Sequence, residues 1–227
     1  MATEQAKDKA PAGDLVTESF FATYIYYKDF PDADELNASI KKHVRAWRAQ
    51  DQEGIVRSNV KIAGSWHSGL DMNQREEYRE LTTRIIATAQ EVFEALGYDP
   101  GSEAACDNMW ANISPRYGYN RNHIHPGVLW SGVYYVQAPP NSGRIFFTDP
   151  RAQAQIIRPR FDPDQPSRSN AWTEVYYEPI EGRMLLFPAW LVHEVEPNMA
   201  DNEGPDADRI SVSFNFYQKR REESQSP

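Results

Sequence analysis

The sequence predicts an antiparallel β barrel or sandwich braced on one side by helices. Three observations carry that expectation. The chain changes character near residue 100: helical periodicity precedes it, and β-branched and aromatic residues dominate after it. Gly and Pro punctuate the second half into short apolar segments rather than long ones. At 227 residues with 40% apolar side chains, the chain can bury one substantial core.

In the first half, Ser19 to Tyr27 reads as a strand. Asp32 and Glu35 form a capping-box pattern, and Leu36, Ile40, Val44 and Trp47 follow at helical spacing. A second helix is expected after Asp71, with Gln74 in the box position. Its stripe is Tyr78, Leu81, Ile85, Ala89, Val92 and Leu96, with Gly97 as C-cap. Expected strands in the second half are Asn108–Ser114, Val128–Gln137, Arg144–Thr148, Glu174–Glu178, Arg183–Phe187, Val192–Glu196 and Arg209–Tyr217. The segment Arg158–Asn170, with three prolines, reads as a surface loop or lid. The expected organisation is a tail over 1–14, one domain over 15–218 and a tail over 219–227. That domain comprises a helical part (15–100) and a barrel core (105–218).

Acidic residues outnumber basic ones by 33 to 24, which disfavours a general nucleic-acid or anionic-membrane binder. Cys106 is the only cysteine, so neither an intrachain disulfide nor a cysteine zinc site can form. The longest apolar stretch, Met184 to Val192, is half a membrane span and contains Pro188. With no apolar signal-peptide core near residue 1, the expectation is a soluble cytoplasmic protein. A homodimer is compatible with this reading.

Five histidines are present. His43 falls within the first helix as a surface or boundary residue. His123 and His125 form Asn-His-Ile-His-Pro ahead of a strand, and residues two apart on extended backbone share a side. His193 comes early in the second strand of a strand-turn-strand segment. One H-x-H and one distant histidine in β context fit a metal site for iron, copper, nickel or zinc. They fit equally a loop pair and a satisfied core histidine. Arg209, Ser211 and Ser213 alternate onto one strand face, opposite Ile210, Val212 and Phe214. Such a face offers a carboxylate clamp, or an arginine paired with Asp206 or Asp208.

Five blocks, taken in order, are more specific. They are GSWHSGLDM (64–72), NHIHPGVLWSGVYYV (122–136), SGRIFFTDPR (142–151), GRMLLFPAWLVHEVEPN (182–198) and RISVSFNFY (209–217). Together they resemble the 2-oxoglutarate/Fe(II)-dependent oxygenases, in particular a bacterial and phage group with H-x-H-P and F-P-x-W-L-x-H-x-V blocks. The resemblance implies a double-stranded β-helix, a jelly-roll or cupin-like barrel, with iron at its mouth. By position it makes His123 and His193 iron ligands, and Arg209 and Ser211 the 2-oxoglutarate clamp. It implies Fe(II), 2-oxoglutarate and O2 as cofactor and co-substrates, with oxidative decarboxylation coupled to hydroxylation of a small molecule or an amino-acid or protein side chain.

The sequence departs from the usual H-x-D/E at one position, where His125 stands in place of the carboxylate. Asp149 is the alternative third ligand, although Pro150 after it suits a turn cap. Tyr134 and Asn112 are further pocket candidates, and only one of Tyr134 and Tyr135 can face the barrel interior. His67 lies near the cleft by its block. The alternatives are a cupin-like three-histidine dioxygenase independent of 2-oxoglutarate, suggested by the Gly182–His193 segment, and a non-catalytic barrel that binds a small carboxylate.

Overall fold

A computed structural model describes residues 13, 15–58, 64–157, 159–162, 164, 172–201 and 203–221. Nearly all of the expected N-terminal tail, most of the 158–170 loop and the last six residues lie outside these.

Among the described residues, ten strands form two antiparallel sheets with helices on one outer face. The strands are β1 (Tyr26–Asp29), β2 (Trp66–His67), β3 (Ser102–Ser114), β4 (Asn120–His123), β5 (Trp130–Gln137), β6 (Ile145–Thr148), β7 (Glu174–Tyr177), β8 (Arg183–Pro188), β9 (His193–Val195) and β10 (Arg209–Arg220). The larger sheet has the order β1-β8-β5-β10-β3-β2 and the smaller β4-β9-β6-β7. The helices are α1 (Ala33–Gln50), the single turn α2 (Gly54–Arg57) and α3 (Arg79–Ala95). None of the described helices is long and apolar enough to cross a membrane.

The layers follow from alternation along the strands. On β10, Ile210, Val212, Phe214 and Phe216 are buried in the core beneath the helices. They meet the α1 stripe of Leu36, Ile40 and Val44 and the α3 stripe of Leu81, Ile85, Ala89 and Val92. The opposite faces of β5 and β8, through Val133, Tyr135, Leu185 and Phe187, pack against Ile145 and Phe147 of β6. The central strands are therefore buried on both faces, and the space between the sheets is part core and part cavity.

Both helical stripes are as the sequence predicts, but the capping boxes are not. Asp32 takes a left-handed conformation (φ 54°) and makes no side-chain cap bond. An N-cap oxygen reaches the first-turn amides from β-region backbone, which that geometry abandons. Asp71 instead pairs with Arg75 at 3.1 Å. Two 3-10 turns, Met72–Gln74 and Glu76–Tyr78, intervene before α3 begins. The C-terminal expectation holds. Gly97 has φ 70°, and the Tyr98 amide donates back to the Phe93 carbonyl at 3.0 Å, the bond of a Schellman ending.

Strand boundaries shift by a few residues. The first strand begins at Tyr26 rather than Ser19, and β3 begins six residues before Asn108. The last strand continues to Arg220, two residues into the expected tail, because it pairs with β3 through Ser102. Strands β2 and β4 and the turn α2 are additions to the expected set.

Candidate active site

A cavity of about 340 Å³ opens between the sheets. Histidines gather at one part of its wall. His123 closes β4 and His193 opens β9, and the two are directly opposite each other in the antiparallel register. Their ring centroids are 4.2 Å apart. His125 follows in the loop after β4, held by its amide donating to the Ala189 carbonyl at 2.9 Å. Its ring centroid lies 5.2 Å from each of the other two. One nitrogen from each imidazole falls within 4.8 Å of the others. The expected convergence is thus present, although only His123 of the H-x-H pair lies on a strand.

The hydrogen bonds define which nitrogens converge. His123 Nδ1 lies 2.7 Å from the Arg121 carbonyl, and His193 Nδ1 lies 2.8 Å from the Leu191 carbonyl. A carbonyl only accepts, so both Nδ1 atoms donate, and in the neutral tautomer this selects, the lone pair is on Nε2. His125 Nδ1 lies 2.8 Å from Asn215 Oδ1, while its Nε2 is buried without a hydrogen-bond partner. With Nδ1 engaged in each ring, Nε2 is the nitrogen left for the cluster, and three such imidazoles, one with an unpartnered buried Nε2, suit a divalent transition ion. Burial, followed by the neighbouring His123, pushes His193 down to about 3. His125 is lowered by the same two causes in the same order. Both therefore stay neutral, as ligation requires.

The ring planes are set by aromatic neighbours. His193 meets Phe187 edge-on at 4.7 Å. Trp110 stacks on His125 at 6.0 Å, and His67 stacks on the same Trp110 at 5.4 Å. His67 lines the cavity, as its sequence block suggests. His43 lies apart on α1, edge-on to Tyr78.

Arg209 enters the same cavity from β10, with Ser211, Ser213 and Asn215 on the same face. Arg209 is 3% exposed, and its Nη1 donates to the carbonyls of Ser142, Gly143 (3.3 Å) and Glu196 (3.4 Å). Among the described residues no carboxylate pairs with it. Asp206 and Asp208 are not its partners; Asp208 approaches Arg45 instead, at 4.0 Å. Burial lowers the Arg209 pKa below the ordinary guanidinium range, so this is a buried cation supported only by dipoles.

The remaining candidates divide. Asn112 lines the cavity and donates to Ser213 Oγ at 3.1 Å. Tyr134 does not reach the cavity: its hydroxyl donates to Asn37 Oδ1 of α1 at 2.7 Å, on the helix side of the sheet. The neighbouring Tyr135 takes the inward position, and burial pushes its phenol up to about 12. Asp149 stands outside the histidine group. It caps its own turn by accepting from the Arg151 amide at 2.9 Å and pairs with the Arg151 guanidinium. Trp110 and Asn215 went unforeseen, and Asn215 had a signal, since it continues the Arg209-Ser211-Ser213 alternation.

Residues 108–215 match the model of a family described as "Putative 2OG-Fe(II) oxygenase". That span, just under half of the chain, is therefore similar to the 2OG-Fe(II) oxygenases. These are oxidoreductases that use Fe(II), 2-oxoglutarate and O2. The matched span contains all three clustered histidines and Arg209. No curated protein matches the chain in sequence. Among solved structures, a Pseudomonas putida prolyl-4-hydroxylase is 17% identical, with a TM-score of 0.56 over 88% of this chain and 94% of that one. A Trichoplax adhaerens prolyl hydroxylase, solved with a hypoxia-inducible-factor peptide fragment, is 16% identical, with a TM-score of 0.57 over 85% and 83%. The α-ketoglutarate-dependent epimerase SnoN of nogalamycin biosynthesis is also 16% identical, with a TM-score of 0.57 over 84% and 78%. At these identities the likeness is one of fold, and it supports the double-stranded β-helix.

Proposed function

We propose that this chain couples oxidative decarboxylation of 2-oxoglutarate to hydroxylation, or a related C–H oxidation, at a centre held by His123, His125 and His193. The observation that carries the proposal is the cavity shared by three convergent imidazole lone pairs and one buried, carboxylate-free guanidinium. In the overall reaction, 2-oxoglutarate, O2 and a substrate C–H bond give succinate, CO2 and the hydroxylated product, which balances without a further reductant. The three histidines would hold ferrous iron, which would supply the redox chemistry for dioxygen activation.

The protein's part is positioning and charge compensation. His123, His125 and His193 would hold the ion from one wall of the cavity, and an oxygen-activating centre needs such a partial protein ligand set. Arg209 provides the complementary charge for the distal carboxylate of the ketoacid, and its planar fork suits bidentate binding. The Tyr135 hydroxyl, kept protonated, and Ser211 add donors on the same wall. Phe187, Trp110 and Ile145 line the cavity with apolar surface, which limits water and strengthens the charge pairing.

His125 gives the centre a distinct charge. Three neutral ligands would compensate none of a ferrous ion's two positive charges, leaving that to the dianionic ketoacid. That favours ketoacid binding more than a carboxylate-bearing triad would.

The three-histidine set also favours a second reading, a direct dioxygenase of the cupin type. Succinate formation separates the two. Under the main reading, Fe(II)-loaded protein with 2-oxoglutarate and O2 forms succinate and Arg209→Leu suppresses it. Oxygen uptake without succinate favours the direct dioxygenase.

A further inference from the structure

His123 and His193 lean on backbone carbonyls, which cannot offer a donor. His125 leans instead on the side-chain amide of Asn215, and an amide can present either its oxygen or its nitrogen. Only the oxygen makes Nδ1 the protonated nitrogen and leaves Nε2 free. What determines the amide's orientation therefore determines whether His125 can act as a ligand.

The hydrogen bonds trace this outward. Asn215 Nδ2 donates to Asn108 Oδ1 at 2.8 Å, and Asn108 Nδ2 donates to Asp107 Oδ2 at 2.7 Å. An ionised carboxylate accepts and never donates. Asp107 thus fixes the Asn108 amide, Asn108 fixes the Asn215 amide, and Asn215 presents oxygen to His125. Ser131 Oγ donates to that same oxygen at 2.7 Å.

A regular strand could not build this relay, because neighbours such as Asp107 and Asn108 would point to opposite faces. The pairing of β3 with β10 is irregular at this place. Asn215 stands opposite Asn108 and Phe216 opposite Cys106, leaving Asp107 as an extra residue. The bulge brings the two side chains together, a re-aiming for which bulges beside active sites are suited.

We propose that Asn215 is a positioning residue for the metal centre, oriented by Asp107 through Asn108, and that the relay makes His125 an Nε2 ligand. This rests on the reading of the histidine cluster as a metal site. It also singles out the ligand that stands where relatives by motif carry a carboxylate. A carboxyl group ends the relay, at the far end of two amides.

The test uses full-length protein and two readouts: the His125 tautomer by nitrogen-15 NMR on metal-free protein at pH 8, and Co(II) affinity by chelator competition. Wild type should show one tautomer, protonated at Nδ1. Asn215→Leu should show mixed tautomers and lose roughly 10–100-fold in Co(II) affinity, the usual cost of losing such a partner. Asn215→Asp, which still offers an acceptor oxygen, should restore both. Asp107 is exposed, so Asp107→Ala leaves the core intact and should reveal a second tautomer.

A single unchanged tautomer in both Asn215→Leu and Asp107→Ala would overturn the relay. So would an affinity loss in Asn215→Asp as large as in the leucine variant, since packing would then explain both. Failure of the metal reading is separately visible, as equal Co(II) binding by wild type and His125→Ala.

Discussion

His123 and His193 face each other across adjacent antiparallel strands, although 70 residues separate them in the chain (193 − 123). Cross-strand opposition brings their rings to 4.2 Å, close enough to share one ion. Alanine at either position should abolish Fe(II) retention after dialysis while leaving far-UV circular dichroism unchanged. Full metal occupancy in His193→Ala would refute the assignment.

Arg209 should govern the ketoacid rather than the metal. Truncating one partner of a buried, hydrogen-bonded charge pair costs about 2–5 kcal/mol. Arg209→Leu should therefore raise the 2-oxoglutarate KM by more than tenfold with iron content unchanged. Arg209→Lys should rescue poorly, because an ammonium does not reproduce the planar fork. Steady-state kinetics with a metal assay on the same samples checks both expectations.

Gly143 makes room for that guanidinium. Its φ is +94°, and a Cβ there would fall 2.7 Å from Arg209 Nη1 and closer still to the Glu196 carbonyl oxygen. Gly143→Ala should therefore displace Arg209, raise the 2-oxoglutarate KM and lower the melting temperature. An alanine variant with wild-type KM would show that Arg209 does not depend on this close approach.

His193 should make the metal-free protein acid-sensitive. Burial first, and His123 second, push its pKa from 6.5 to about 3. As pH falls below 6.5 the unfolded chain takes up a proton that the folded chain refuses until about 3. The stability is complete above pH 6.5 and declines through that window. His193→Phe, beside Phe147 and Phe187, should show a shallower fall of Tm with acidification. Parallel Tm–pH curves for the two proteins would contradict this.

Much of the fold was legible because helical stripes and β-rich segments are local signals. Leu36, Ile40 and Val44 on α1 occupy the predicted core face. The strands that escaped notice are short, and β2 has only two residues, whose pairing with β3 is a tertiary fact. The parity of Tyr134 and Tyr135 was illegible for another reason. Every residue of β5 is buried, since the strand lies between the helices and the smaller sheet, so no polar alternation marks its inward face. The histidine set and the Arg209 face were readable from spacing and block order. The Asp107 relay was not, because it depends on a bulge that sequence periodicity does not reveal.

The central claim is that three histidines hold the iron and Arg209 holds the ketoacid. The most direct measurement is an anaerobic crystal structure of the Fe(II)-loaded protein soaked with 2-oxoglutarate. The account predicts one ion bonded to Nε2 of His123, His125 and His193, with the distal carboxylate on Arg209. An ion bonded to Asp149 in place of His125, or a ketoacid whose carboxylate avoids Arg209, would contradict it.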